Sequence, residues 1–311
     1  MVYDHLIGHT DIKKALSILK MRGKIPQVLL FKGKEGVGKH LFARSFAQSL
    51  AASIDIHEYK PEGKAFFHPI DQIKQIIKES YLPPVQSAKK IFIIDQADRM
   101  LPVSSNALLK TLEEPSENIV FILVSHDVER LLPTILSRSF VLSFFPLSHQ
   151  EIVSWLLKHR LQNVDDANRI AFMAQGSLKR ADLYFQYQKD WIHLLDALLS
   201  HPSYDKQIEL ITKIDKYFSL LKEEEEVSDW HEQIDLLFDS LIFYFKEDLR
   251  KNYRLYENSG FPNAHFIFDL IEESREDVKS HIKLRHVLER FLSFFTFPVN
   301  RQDPIVLHPA N

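Results

Sequence analysis

The segment QVLLFKGKEGVGKH, residues 27–40, passes from an unbroken apolar run into a glycine-rich one, and its reading decides the fold. Five residues rich in Val, Leu and Phe without alternation fit a strand covered on both faces of a parallel sheet. Gly33, Gly38 and Lys39 then fit the spacing GxxxxGK of a phosphate-binding loop, with Gly36 inside it, and helix-period residues Leu41 to Leu50 follow. Glycines at these points let successive backbone N–H groups turn inward around phosphate oxygens. The helix N-terminus adds partial positive charge, and Lys39 adds a full one. The same residues are also compatible with a strand-to-helix turn that never meets a nucleotide.

Outward from this loop, three further apolar runs repeat the buried-strand pattern: IFIID at 91–95, IVFILV at 119–124 and SFVLSF at 139–144. A weaker strand is expected near SIDIHEY, 53–59, and a helix from Ser105 to Glu114 that stops before Pro115. Strands alternating with helices predict a doubly wound α/β domain. Beyond residue 145 the strand signal vanishes. Residues 146–190 read as a small helical unit broken at Gly176, and 191–311 as an all-α domain ending in a proline-rich, extended tail. The expected division is therefore 1–145, 146–190 and 191–311. The acidic run at 222–226, KEEEE, reads as a solvated face.

Composition sets limits on function. A net charge of -3 gives no global basic signature for nucleic acid, so any DNA contact is local or borrowed from partners. With no cysteine, disulfides, thiolate zinc sites and cysteine nucleophiles are excluded. The 15 histidines form no metal-ligating pattern, and His57 and His68 read as ordinary surface or loop residues. The N-terminal residues lack the apolar core of a signal peptide and no run approaches a membrane span, so a cytoplasmic setting is expected.

The loop departs from its pattern at one place. Position 40, where a Ser or Thr hydroxyl would help hold magnesium, is His40, and an imidazole is a poor, bulky substitute for an oxygen ligand. The strand KIFIID should place the acid Asp95 at its end as the second metal-holding group. The adjacent position is Gln96, whose neutral amide can hold a water but cannot take its proton. The two parts that manage metal and water are both altered. No metal site and no hydrolysis by the chain alone are expected; weak ATP or ADP binding without hydrolysis remains open.

These segments together with NALLKTLEEP (106–115), LLPTILSRS (131–139) and GSLKRAD (176–182) resemble bacterial clamp-loader subunits of the AAA+ family over about residues 5–190. The resemblance implies an AAA+ domain, a helical lid and a helical collar. It implies partners too: ATP-hydrolysing gamma/tau-type subunits and a delta-type subunit in a heteropentamer, a sliding clamp, and primed DNA met through the assembled complex. In that family an arginine of the sequence SRC reaches the ATP site of the next subunit. Its counterpart here is Arg138, between Ser137 and Ser139. An arginine aimed at a γ-phosphate stabilises charge developing in the transition state. The cysteine-bearing zinc module of many relatives is absent, so no zinc is implied.

Two weaker positions follow from the same resemblance. Ser125 matches a residue that senses the γ-phosphate, although a strand-end hydroxyl also caps turns. Lys179 or Arg180 falls where a lid arginine lies, although a basic residue at a helix start is often only solvated. The aromatic stretches LIFYFKED and ERFLSFFTF read as helical core. The rival reading is an ATP-hydrolysing AAA+ motor, which would be expected to carry Ser or Thr and Glu at positions 40 and 96. A P-loop small-molecule kinase would leave the TLEEP and SRS block unexplained.

Overall fold

The computed structural model describes residues 3, 5–63, 66–161, 163–187, 192–200, 204–223, 227–257, 264–280 and 282–296. The proline-rich tail and most of the acidic run, on which expectations were placed, lie outside them. The chain divides into two compact units, Met1–Ala181 and Asp182–Asn311.

In the first unit the elements run α1 (Thr10–Arg22), β1 (Val28–Lys32), α2 (Lys39–Gln48), β2 (Ile56–Tyr59), α3 (Ile70–Ser80) and β3 (Lys90–Ile94). They continue with α4 (Pro102–Glu113), β4 (Ile119–Ser125), α5 (Pro133–Arg138), β5 (Phe140–Ser143), α6 (His149–His159), α7 (Val164–Met173) and the start of α8 (Leu178–Tyr187). The strands form one parallel sheet in the order β2-β3-β4-β1-β5. All five strands expected from the apolar runs are present.

Alternate residues of each central strand enter different cores, which is why the runs show no polar alternation. Leu29 and Phe31 of β1, Ile91 and Ile93 of β3, and Val120 and Ile122 of β4 pack with Leu16 of α1 and Phe42 and Phe46 of α2. On the opposite face, Leu30, Phe92 and Phe121 pack with Ile73 and Ile76 of α3 and Leu108 of α4. Burying each such side chain contributes on the order of 2 kcal/mol, so the sheet anchors whatever its loops carry.

Two expectations need correction. Strand β5 is not covered on both faces: among the described residues it pairs with β1 alone, Leu29 opposite Phe140 through Lys32 opposite Ser143, and Phe140 and Val141 are exposed. An edge strand is less enclosed than a central one. Helix α4 begins at Pro102, not Ser105, because proline is well suited to the first helical turn, where its missing N–H has no intrahelical partner.

Helix α6 starts at a capping box in which Ser148 and Glu151 each satisfy the other's backbone N–H. Between α7 and α8 the chain turns at Gly176, with φ of 84°. In the second unit, α9 (His193–Ser200), α10 (Tyr204–Glu223), α11 (Val227–Glu257), α12 (Ala264–Lys279) and α13 (Leu284–Thr296) pack as an all-helical body. Ile211, Ile214, Phe218, Leu237 and Ile271 are buried there. Arg275 donates to Asp239 at 2.6 Å. Among the described residues, no helix is long and apolar enough to cross a membrane.

Candidate phosphate-binding site

The strands all run the same way, but the chain places β2, β3 and β4 on one side of β1 and β5 on the other; this reversal of strand order creates the crevice at the strands' carboxyl ends where open α/β sheets receive ligands. Here β1 delivers the loop Gly33–Gly38, β3 delivers Asp95, β2 delivers Glu58 and β4 delivers Ser125 and His126. The loop glycines adopt positive φ: 151° at Gly33, 76° at Gly36 and 99° at Gly38. Space as well as φ excludes a side chain at two of them. A Cβ on Gly33 would lie 2.2 Å from the Phe144 carbonyl oxygen, and one on Gly36 would lie 2.0 Å from Ser177 Oγ.

Lys39 opens α2 and is 3% exposed. Its ammonium donates to the carbonyls of Gly33 and Lys34, both at 2.7 Å, so the side chain folds back over the loop. Burial pushes the Lys39 ammonium down to about 8, against the pull of Asp95, Glu35 and Asp98. His126 is also lowered, by burial and by the Lys39 charge, with Glu35, Asp98 and Asp95 opposing. Its backbone N–H donates to Asp98 Oδ1 at 2.8 Å.

The site residues expected from the sequence are brought together with one exception. Ser125 is wholly buried; its carbonyl accepts from Gly33 N at 3.3 Å, and among the described residues its hydroxyl has no hydrogen-bond partner and caps no turn. Lys179 bonds Glu35 of the loop at 3.1 Å. Burial alone would raise the Glu35 carboxyl, but Lys179, His126 and Lys39 hold it below its usual range. The start of α8 is hung on the loop as well: Leu178 N and Lys179 N both donate to the Gly36 carbonyl, at 2.8 and 3.2 Å. The exception is Arg138, whose partners are Glu113 at 2.9 Å, the Thr134 carbonyl at 3.1 Å and Ser137 Oγ at 3.4 Å, none of them in the loop.

Position 40 is the informative one. His40 Nδ1 faces Asp95 Oδ2 at 3.3 Å, without hydrogen-bond geometry, and its Nε2 faces Glu58 Oε2 at 3.5 Å. The remaining oxygens are occupied too: Asp95 Oδ1 accepts from Gln96 N at 3.0 Å and Glu58 Oε1 pairs with Arg44 Nε at 3.2 Å. A magnesium ion needs near-octahedral oxygen ligands. The ring stands between the carboxylates that would supply them, and these residues do not fit that ion. Among the described residues no group of three or more His, Asp and Glu is arranged to hold a metal.

Sequence reading missed Glu58, Asp98, His126 and the role of His68. The signal was positional, since Glu58 and His126 sit at or just past the carboxyl ends of parallel strands. His68 is a correction: it is fully buried, pairing Nδ1 with Gln72 Oε1 at 2.6 Å and Nε2 with the Asp95 carbonyl at 2.8 Å. The ring braces the strand end that carries Asp95. His57 is half-buried, stacked on Phe92 with ring centroids 5.2 Å apart and paired with Glu79 at 3.3 Å.

Comparison with known proteins bears on this architecture. The model of the family described as "DNA polymerase III, delta subunit" matches residues 52–148. DNA polymerase III subunit gamma of Buchnera aphidicola subsp. Schizaphis graminum is 33% identical over 204 residues, 58% of this chain and 56% of that protein. Subunit gamma/tau of Mycoplasma genitalium is 28% identical over 241 residues, 70% of this chain and 39% of that one. The chain thus spans about half or less of the length of these relatives. Among solved structures, a gamma subunit-related protein of Thermotoga maritima aligns with a TM-score of 0.50 at 17% identity, covering 90% of this chain and 98% of its own. The RuvB Holliday junction branch migration motor of the same organism aligns with a TM-score of 0.50 at 17% identity, covering 92% of this chain and 89% of its own. The sheet order and these likenesses establish an AAA+ α/β fold, and in sequence the chain is similar to DNA polymerase III gamma and gamma/tau subunits.

Proposed function

We propose that this chain is a delta prime-type subunit of a DNA polymerase III clamp loader. It is a largely non-hydrolysing member that organises the pentamer, lends Arg138 to a neighbouring ATPase subunit and helps load the sliding clamp on primed DNA. The observation that carries this reading is the contrast between two positions. His40 stands between Asp95 and Glu58, where a metal-holding hydroxyl is wanted, while Arg138 lies at a partly exposed helix end, held by Glu113 and directed to nothing in its own loop. Such a chain is ill equipped to hydrolyse ATP and equipped to assist a neighbour. In this reading residues 1–145 form the AAA+ domain, 146–190 the lid and 191–311 the collar; the partners are gamma/tau-type and delta subunits, and the setting is the cytoplasm.

The test is a reconstituted complex with gamma/tau-type and delta subunits, containing either this chain or its Arg138→Ala variant. Loss of an arginine acting in trans is expected to slow hydrolysis by about 10³-fold or more, with the lone chain inert. Unchanged turnover by the variant complex would remove the role given to Arg138. A second reading, an ATP-hydrolysing clamp-loader subunit, is favoured by the similarity to gamma and gamma/tau subunits. Magnesium-dependent turnover by the purified chain alone would select it.

A further inference from the structure

Arg138 does not stand free at the end of α5. Its Nη1 donates back to the Thr134 carbonyl at 3.1 Å and to Ser137 Oγ at 3.4 Å, and its Nη2 pairs with Glu113 Oε1 of α4 at 2.9 Å. All three partners belong to the arginine's own unit, so the guanidinium as it stands is withdrawn. We infer that Glu113 is a positioning residue for Arg138. It restrains the guanidinium on its own unit and is exchanged for an anionic oxygen of a neighbouring subunit's nucleotide when the arginine engages there. The inference rests on the role proposed for Arg138 and adds the regulation of that role.

Local energetics do not explain an acid at position 113. Glu113 is the last residue of α4, where the partial negative charge of the helix end disfavours a carboxylate, and Glu114 follows at once. Among the described residues Arg138 is the partner that offsets this. The backbone brings the two charges together: Leu112, beside Glu113, and Ile135, one turn before Arg138, are buried in the same core. The pair is therefore a result of the packing of α4 and α5 and is not what holds it. It is also solvated, with the two side chains 39% and 42% exposed, and a pair of that kind restrains its members by no more than about fivefold. A carboxylate oxygen and a phosphate oxygen offer a guanidinium the same charge-assisted contact. Glu113 thus occupies the place that a phosphate oxygen would take, in a contact weak enough to be released to one.

The experiment is steady-state ATP hydrolysis by the complex reconstituted with gamma/tau-type and delta subunits, containing this chain as the natural protein, Glu113→Gln, Arg138→Ala or the double variant. The ion pair must break before Arg138 can stabilise a transition state elsewhere, so Glu113→Gln, which keeps the shape and removes the charge, is expected to raise kcat/KM of the neighbouring ATPase by about two- to fivefold. In the Arg138→Ala background the same substitution is expected to change nothing, because no guanidinium remains to be restrained. A glutamate that served only the packing of α4 would behave differently: its loss would lower activity, by the same factor in both backgrounds. A fall or no change with Glu113→Gln, or an equal rise with and without Arg138, would overturn the inference. If Arg138→Ala slows hydrolysis while Glu113→Gln has no effect, the restraint is lost and the role of Arg138 stands. If Arg138→Ala itself has no effect, both are lost.

Discussion

Gly36→Ala offers a sharp test of how the loop is held, because its effect can be built up from contacts. The residue sits at φ 76°, and an alanine there is strained by about 1 kcal/mol. Its Cβ would lie 2.0 Å from Ser177 Oγ and 2.9 Å from Lys179 Cβ. Ser177 Oγ is not free to yield, since it accepts from Arg180 N at 3.3 Å as the cap of α8. Displacing it forfeits that cap, worth about 1 kcal/mol. The expected destabilisation of the first unit is therefore about 2 to 3 kcal/mol, or roughly 5 to 10 °C in its melting midpoint. Ser177→Ala alone should cost about 1 kcal/mol, and the double variant should be about 1 kcal/mol more stable than the sum of the singles, because the cap can be lost only once. Denaturant-dependent amide exchange of β3 and β4 isolates the opening of this unit. Strict additivity, or a Gly36→Ala protein as stable as the natural one, would refute the placement of α8 against the loop.

Other outcomes follow from the same geometry. The Lys39 ammonium titrates near 8, and only its charged form attracts phosphate; affinity for a nucleotide should hold below that pH and fall as pH rises through it, measured by titration between neutral and alkaline buffers. Asp55 is held down to about 2, from an ordinary value of 3.8, with backbone N–H groups of Val85, Gln86 and Ser87 opposing the effect of burial. Its contribution to stability is complete above the ordinary value and is lost as pH falls toward the lower one, so acid unfolding curves of the natural protein and Asp55→Asn should converge in that window. His68→Ala should destabilise by about 2 to 3 kcal/mol, since it leaves Gln72 and the Asp95 carbonyl without their buried partner; chemical denaturation measures this, and a change under about 0.5 kcal/mol would contradict it.

Much of the fold was legible because central strands of a parallel sheet need apolar residues on both faces, and LLF, IFII and VFILV supply them without interruption. The loop was legible because few residues other than glycine tolerate the φ values at 33, 36 and 38. The edge strand was over-read, since Phe140 and Val141 look as apolar as any core pair although only one neighbour covers them. The constellation around His40 was half visible. Its identity at the hydroxyl position is a fact of sequence, but Glu58 comes from a strand 18 residues onward and reaches the ring only because β2 pairs with β3. His68 was misjudged for a related reason: one partner, Gln72, is four residues onward, but the other is the Asp95 carbonyl at the end of β3, 27 residues away in sequence. Tertiary placement decided both.

The pairing of β5 with β1 gives the first unit a direction. The phosphate loop leaves the carboxyl end of β1, level with Phe144, whereas Arg138 precedes the amino end of β5, level with the start of β1. Four residues of extended chain separate those levels, about 13 Å along a stiff ladder, more than an arginine side chain can bridge. One rim of the sheet carries the loop read as a phosphate site and the opposite rim carries the Arg138 guanidinium. Copies or relatives joined through both rims must stand head to tail, in a heterologous contact that gives each member a distinct predecessor and successor. Order within such an assembly would then be written into a single two-strand ribbon.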